Sequence, residues 1–198
     1  MSQIDLWYTS RATGIVALVL LTATMFLGIL VAGRAPSAMP GFARVEVHRR
    51  VSVLAVVFVA IHVVTAVMDA YVHIGWWAVI VPFTSGYDRL WVAIGTVGVD
   101  LLLAVAISSA LRHRIAARTW RAWHWLAYLS WPVAVSHALG MGPDTRLDWV
   151  LALVAACSGS IVVAAGWRLW AAQRARAEQP RTILVPRRSL RSGAAGPS

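Results

Sequence analysis

The sequence predicts an all-α membrane protein, a polytopic bundle of five transmembrane helices with its amino terminus outside and its carboxyl terminus in the cytoplasm. Three observations lead there. Of the 198 residues, 59% are hydrophobic and 13% charged, whereas a soluble domain carries about a quarter charged residues. Several apolar runs exceed the roughly 18 residues that mark a spanning helix, and they are continuously apolar rather than alternating as barrel strands do. All 18 basic residues are arginine, and they gather in alternate loops.

Residues 1–11 form a polar start with Asp5 and Arg11. They lack the basic n-region and short apolar core of a signal peptide, so the first helix, 13–31, is expected to be retained. Pro36 and Pro40 break the next loop. The second helix covers 44–71. The apolar stretch 74–83 is too short to span; Trp76 and Trp77 suit the headgroup layer, and Pro82 ends the segment. The third span is 90–111 and the fourth is 122–139, interrupted by Pro132, with the basic loop 112–121 between them. The fifth span is 149–170. Residues 1–172 thus form one membrane domain. From 173 to 198 the chain is rich in Arg, Pro, Gly and Ser, the composition of a disordered tail. Cys157 is the single cysteine and sits inside an apolar run, so it is read as a packing residue with no disulfide or thiolate metal site.

Arginine placement orients the bundle. Fifteen of the eighteen arginines lie in 33–50, 112–121 and the segment from Arg168 onward. The opposite loops hold Arg11, Arg89 and Arg146 together with five aspartates. The first set faces the cytoplasm, and the expected location is the cytoplasmic membrane of a bacterium. The net charge of +10 would suggest nucleic acid in a soluble protein. Here the arginines flank spans, so topology and the lipid bilayer account for them and no nucleic-acid partner is expected.

The second and fourth helices each carry two histidines. His48 and His62 are 14 residues apart, which returns to within about 40° of the same helix face and separates the rings by roughly 21 Å along the axis. His124 and His137 are 13 residues apart. Thirteen steps end roughly 140° away on an ideal helix, and Pro132 between them can re-phase the turn. Both helices run from inside to outside, so His48 levels with His124 and His62 with His137. Intramembrane ionisable residues are functional candidates by default, and neutral imidazole is an axial ligand of haem iron. Four histidines at two matched depths suit two stacked haems. The alternative is a set of histidines that hydrogen-bond backbone or water between helices.

These residues resemble the ferric reductase-like transmembrane domain shared by NADPH oxidases, ferric reductases and the haem subunit of the bacterial periplasmic methionine sulfoxide reductase system. The resemblance spans about 4–168. It rests on the histidine spacings, on Trp120-Arg121-Ala122-Trp123-His124, and on Tyr128 just beyond. It implies that His48, His62, His124 and His137 are axial ligands of two b-type haems. Members with a soluble domain feed electrons from flavin and nicotinamide nucleotide. No glycine-rich phosphate loop after a strand occurs here, so the expectation is a haem-only member supplied by a cytoplasmic flavoprotein or a quinol and delivering to an extracytoplasmic acceptor.

Arg49, Arg50, Arg118 and Arg121 lie at the inner level, where haem propionates would need cations; the same residues also serve topology. Asp100, in the middle of the third span, is read as the only buried carboxylate, either a partner for a ligand imidazole or a packing group. His73 and His113 fall in loops and are read as solvated. Trp123, Trp125 and Trp131 are candidates to line a haem pocket. The function expected is one-electron transfer across the membrane, and the rival is a haem-free anchor or assembly subunit built on the same scaffold.

Overall fold

The computed structural model describes residues 3–33, 39–141 and 147–177, and all regular structure among them is helical. In order these are α1 (Gln3–Ala32), α2 (Gly41–Met68), a 3-10 turn (Trp76–Val79), α3 (Arg89–Ala110), α4 (Ala117–His124), α5 (Leu126–Gly140) and α6 (Asp148–Ala177). α1, α2, α3 and α6 are long and apolar enough to cross a membrane.

The fourth expected span is where the chain departs from the reading. Residues 122–139 do not form one uninterrupted helix; α4 begins earlier, at Ala117, and gives way to α5 at Trp125. Pro132 has no N–H to offer the Tyr128 carbonyl, and its ring crowds that group. One turn upstream the ladder tightens, the Tyr128 N–H reaching the Trp125 carbonyl three residues back. Trp125 stays near helical angles, φ −63° and ψ −24°, so the backbone remains helical across the junction. α5 alone, at 15 residues, is about 22 Å long and short of a hydrocarbon core of about 30 Å; only with α4 does it reach that length.

Other boundaries shift outward. α1 takes in the polar start, where the Thr9 and Thr13 hydroxyls donate to the carbonyls of Asp5 and Thr9. In an apolar medium such internal satisfaction lets polar residues stay helical. α6 continues to Ala177, five residues past the expected start of the tail, with Arg174 stacked 3.9 Å over the Trp170 ring. Arg174 and Arg176 in its last turn also complement the negative end of the helix dipole. The rest of the expected tail, 178–198, lies outside the described residues, as do Arg34, Asp144 and Arg146.

α2 packs along α1, and α3 along α5, while α1 also meets α5 and α6. The core sits between α1, α5 and α6: Met25, Ile29 and Ala164 are buried, with Phe26, Tyr128, Trp131 and Ile161 against them. Tyr128 is further held by its hydroxyl, which accepts from Arg168 Nη1 at 2.8 Å. Outward faces are apolar instead of charged, with Val162 and Val163 about 70% exposed, as lipid contact demands. Cys157 is buried and free, a packing residue as expected.

Between α2 and α3 the chain folds over the His62/His137 end of the bundle. Buried Asp69 accepts the Tyr71 N–H in a tight turn. Gly75 takes φ +80°, open to glycine at little cost. The Thr96 hydroxyl of α3 donates to the Ala78 carbonyl and pins the 3-10 turn. Trp76 and Trp77 stand exposed beside it.

Candidate functional site

α1 and α2 run antiparallel, which brings Gly14 against His62 and Gly28 against His48. α3 and α5 are likewise antiparallel, with Gly95 against His137. Each of these three rings is held by the same device. His48 Nδ1 meets the Thr24 carbonyl at 3.1 Å, His62 Nδ1 the Ser10 carbonyl at 2.7 Å, and His137 Nδ1 the Trp91 carbonyl at 2.8 Å. In every case the glycine lies four residues after the carbonyl, in the turn above it. A β-carbon there would stand 3.0 Å from the His62 ring, 3.3 Å from His48 and 2.6 Å from His137. Glycine therefore opens a helix carbonyl, already bonded within its own ladder, to a second donor from the side. A carbonyl accepts and does not donate, so Nδ1 carries the proton and Nε2 keeps its lone pair.

The histidines meet in the pairs the arginine pattern implies. The His48 and His124 ring centres are 6.5 Å apart, and those of His62 and His137 6.4 Å. A metal–imidazole bond is about 2.0 Å, and with the ring centre about 1.1 Å behind the nitrogen, two imidazoles on opposite sides of one metal have centres about 6.2 Å apart. Both pairs fit that span. Among the described residues no cluster of three or more His, Cys, Asp or Glu could hold a metal by itself, and each pair offers two imidazoles. Haem asks for this donor set, and the residues present fit it.

The His62/His137 pair opens onto a cavity of about 450 Å³ bounded by α1, α2, α3, α5, α6 and the segment between α2 and α3. Its walls are largely apolar, as ligand cavities usually are. Arg11, whose guanidinium lies 4.1 Å over the Trp7 ring, is on its lining. The His48/His124 pair has a different neighbour: Trp120, one turn before His124, stacks on that ring with centres 5.0 Å apart.

Several sequence candidates are placed elsewhere. Arg49 and Arg50 both bind Glu46 on an exposed flank of α2, at 3.0 and 2.7 Å. Arg118 and Arg121 are exposed on α4. Asp100 is half-buried and makes no hydrogen bond to a described residue, so the histidine Nδ1 atoms are met by backbone, not by a carboxylate; the buried carboxylate is Asp69, 4% exposed. Trp123 and Trp125 point outward, about half exposed or more, and Trp131 donates its indole N–H to Thr22 within the core. His73 and His113 are exposed, as read. Sequence reasoning missed Arg11, Trp120 and the three glycines. The glycines carried a readable signal: Gly14 and Gly28 are 14 residues apart, the spacing of His48 and His62.

The family model described as ferric reductase like transmembrane component matches residues 13–135. The chain belongs to this family. The match takes in His48, His62 and His124 and stops two residues before His137, which joins the set because it faces His62. As a ferric reductase-like component with four long apolar helices, the chain is a multi-pass membrane protein. No curated protein and no solved structure matches the chain.

Proposed function

We propose that the chain binds two b-type haems, one at His48 and His124 and one at His62 and His137, and carries electrons across the cytoplasmic membrane. The observation that carries this reading is the paired geometry: two sets of facing imidazoles at 6.5 and 6.4 Å, three of the four rings fixed with Nδ1 turned to a carbonyl. Family membership supports it. When bound, haem supplies reversible one-electron chemistry.

The protein's part is orientation, electrostatics and exclusion of water. A carbonyl bond to Nδ1 holds His48, His62 and His137 and makes the Nε2 of each a better donor. The apolar lining of the outer cavity keeps its dielectric low. Arg11 on that lining is suited to an outer propionate, and Arg118 and Arg121 to an inner one. The arginine distribution supports five crossings, with α4 and α5 together making the fourth, the amino terminus outside and the carboxyl terminus cytoplasmic. A cytoplasmic flavoprotein or a quinol supplies electrons at the His48/His124 level, and an extracytoplasmic acceptor takes them beyond His62/His137.

A reduced-minus-oxidised spectrum of the purified chain tests the reading. A b-type spectrum with two haems per chain is expected. A folded chain that takes up no haem would contradict it and leave the membrane-anchor alternative.

A further inference from the structure

The four histidines are not held alike. His48, His62 and His137 meet carbonyls through Nδ1, while His124 Nδ1 is buried and has no hydrogen-bond partner among the described residues. The ring is nonetheless placed as the others are: its centre stands 6.5 Å from that of His48, against 6.4 Å between His62 and His137. Trp120 lies against it, four residues earlier and so on the same face of α4. The two ring centres are 5.0 Å apart and their planes 26° from parallel. Trp120 Nε1 is also buried with no hydrogen-bond partner among the described residues, so the indole meets His124 by its face and not through its N–H. The planes of His48 and His124 cross at 70°, and those of His62 and His137 at 76°. Two pairs thus reach the same crossed arrangement, one with both rings tied to carbonyls and one with a stacked ring in place of a tied one.

We propose that Trp120 is a positioning residue for His124: by lying against the ring it fixes the imidazole plane, and with it the crossed angle to His48 across haem bound there. An imidazole that ligates iron through Nε2 is free to turn about the metal–nitrogen bond unless something else holds it. At the other three histidines a carbonyl on Nδ1 stops that rotation. At His124 the flat face of the indole stops it. The angle has an electronic consequence. Each ligand plane acts on one of two otherwise equivalent iron d orbitals. Parallel planes act on the same orbital and split the pair, whereas crossed planes act on both and leave them close in energy. Low-spin ferric haem reports the difference: crossed planes give a single large-g resonance, and parallel planes give a rhombic spectrum with three resolved g values. Trp120 thus sets a property of the iron without touching it. This inference rests on the haem reading above.

Electron paramagnetic resonance of the oxidised, haem-loaded full chain tests it. The component of the His48/His124 site is the one that vanishes in His124→Ala, and in the wild type it should be of the large-g kind. Trp120→Leu fills space but offers no aromatic face. It should replace that component by a rhombic signal and leave the component of the other pair unchanged. Trp120→Phe keeps a face without the indole N–H and should retain the large-g component. A component unmoved by Trp120→Leu, or lost equally in Trp120→Phe, overturns the inference while the haem reading stands. Should Trp120→Leu not fold, Trp120→Phe and the wild type decide: a rhombic signal from the His48/His124 site in either overturns the inference, and large-g signals in both support it. A folded wild type without haem overturns both readings.

Discussion

Gly95 and His137 share a space that admits only one of a β-carbon and an imidazole: a β-carbon at 95 would lie 2.6 Å from both Cε1 and Nδ1 of the ring. Real β-carbons do not approach ring atoms so closely, and the obstruction would fall on the atom that bonds the Trp91 carbonyl. Gly95→Ala should therefore turn the ring off its carbonyl, at about 1–3 kcal/mol of strain, and the haem content of the purified variant should fall from two per chain to one. The effect should be graded. Gly14→Ala meets His62 at 3.0 Å and should weaken retention; Gly28→Ala meets His48 at 3.3 Å and should leave haem bound. Equal haem content in all three variants would contradict this account of the glycines.

The pairs predict how haem is lost. His62→Ala or His137→Ala should remove the outer haem and spare the inner, and His48→Ala or His124→Ala the reverse. Pyridine haemochrome quantification against protein reads this directly. Each single variant losing both haems while still folded would mean the four histidines do not act as two sites.

How much of this was open to reading in the sequence depends on range. Helix existence followed from apolar length, and His48 with His124 and His62 with His137 followed from arginine asymmetry plus helix rise, both properties of local sequence. The break at Trp125 did not, because it lies about two turns upstream of Pro132. Asp100 misled because position along a span says nothing of azimuth: it sits mid-helix yet only half-buried, whereas Asp69, at a helix end, is enclosed. Arg49 and Arg50 pair with Glu46, three and four residues back on the same flank, a contact their position near a helix end does not reveal. The glycine device was half legible. The 14-residue interval repeats on α1 and α2, but no interval within α3 identifies Gly95; that needs the register between antiparallel helices.

Asp100 now carries a definite expectation. It makes no hydrogen bond to a described residue, and His48, His62 and His137 meet carbonyls, so Asp100→Asn should leave both midpoint potentials where they are. A clear shift of either wave would show an electrostatic reach that the geometry does not suggest.

Orientation is testable without any cofactor. The loop and helix 112–121 hold Arg112, Arg114, Arg118 and Arg121 with no acidic residue, and cytoplasmic loops are those that keep such excess. A reporter fused after Ser198 should be active only in its cytoplasmic form. Activity on the outer side would reverse the levels of both histidine pairs.

The same arginines bear on where electrons enter. A dinucleotide site of the usual kind needs a strand, a glycine-rich turn and a helix, and the described residues hold no strand. Residues 1–198, purified with haem, should therefore not be reduced by NADH or NADPH alone. A flavoprotein from the same cell should restore reduction. Arg118 and Arg121 stand exposed on α4, the second of them three residues before His124, with Arg112 and Arg114 exposed in the preceding loop. Such a surface raises the encounter rate with an acidic partner by long-range attraction, and salt screens that attraction over about 10 Å at 0.1 M. The second-order rate of reduction should fall as ionic strength rises, and substituting Arg118 and Arg121 by Gln should lower the rate at low salt while flattening its salt dependence. Stopped-flow absorbance at the haem band measures both. Reduction by quinol at a rate indifferent to salt would place the donor in the bilayer, and direct reduction by a nicotinamide nucleotide would contradict the need for any donor protein.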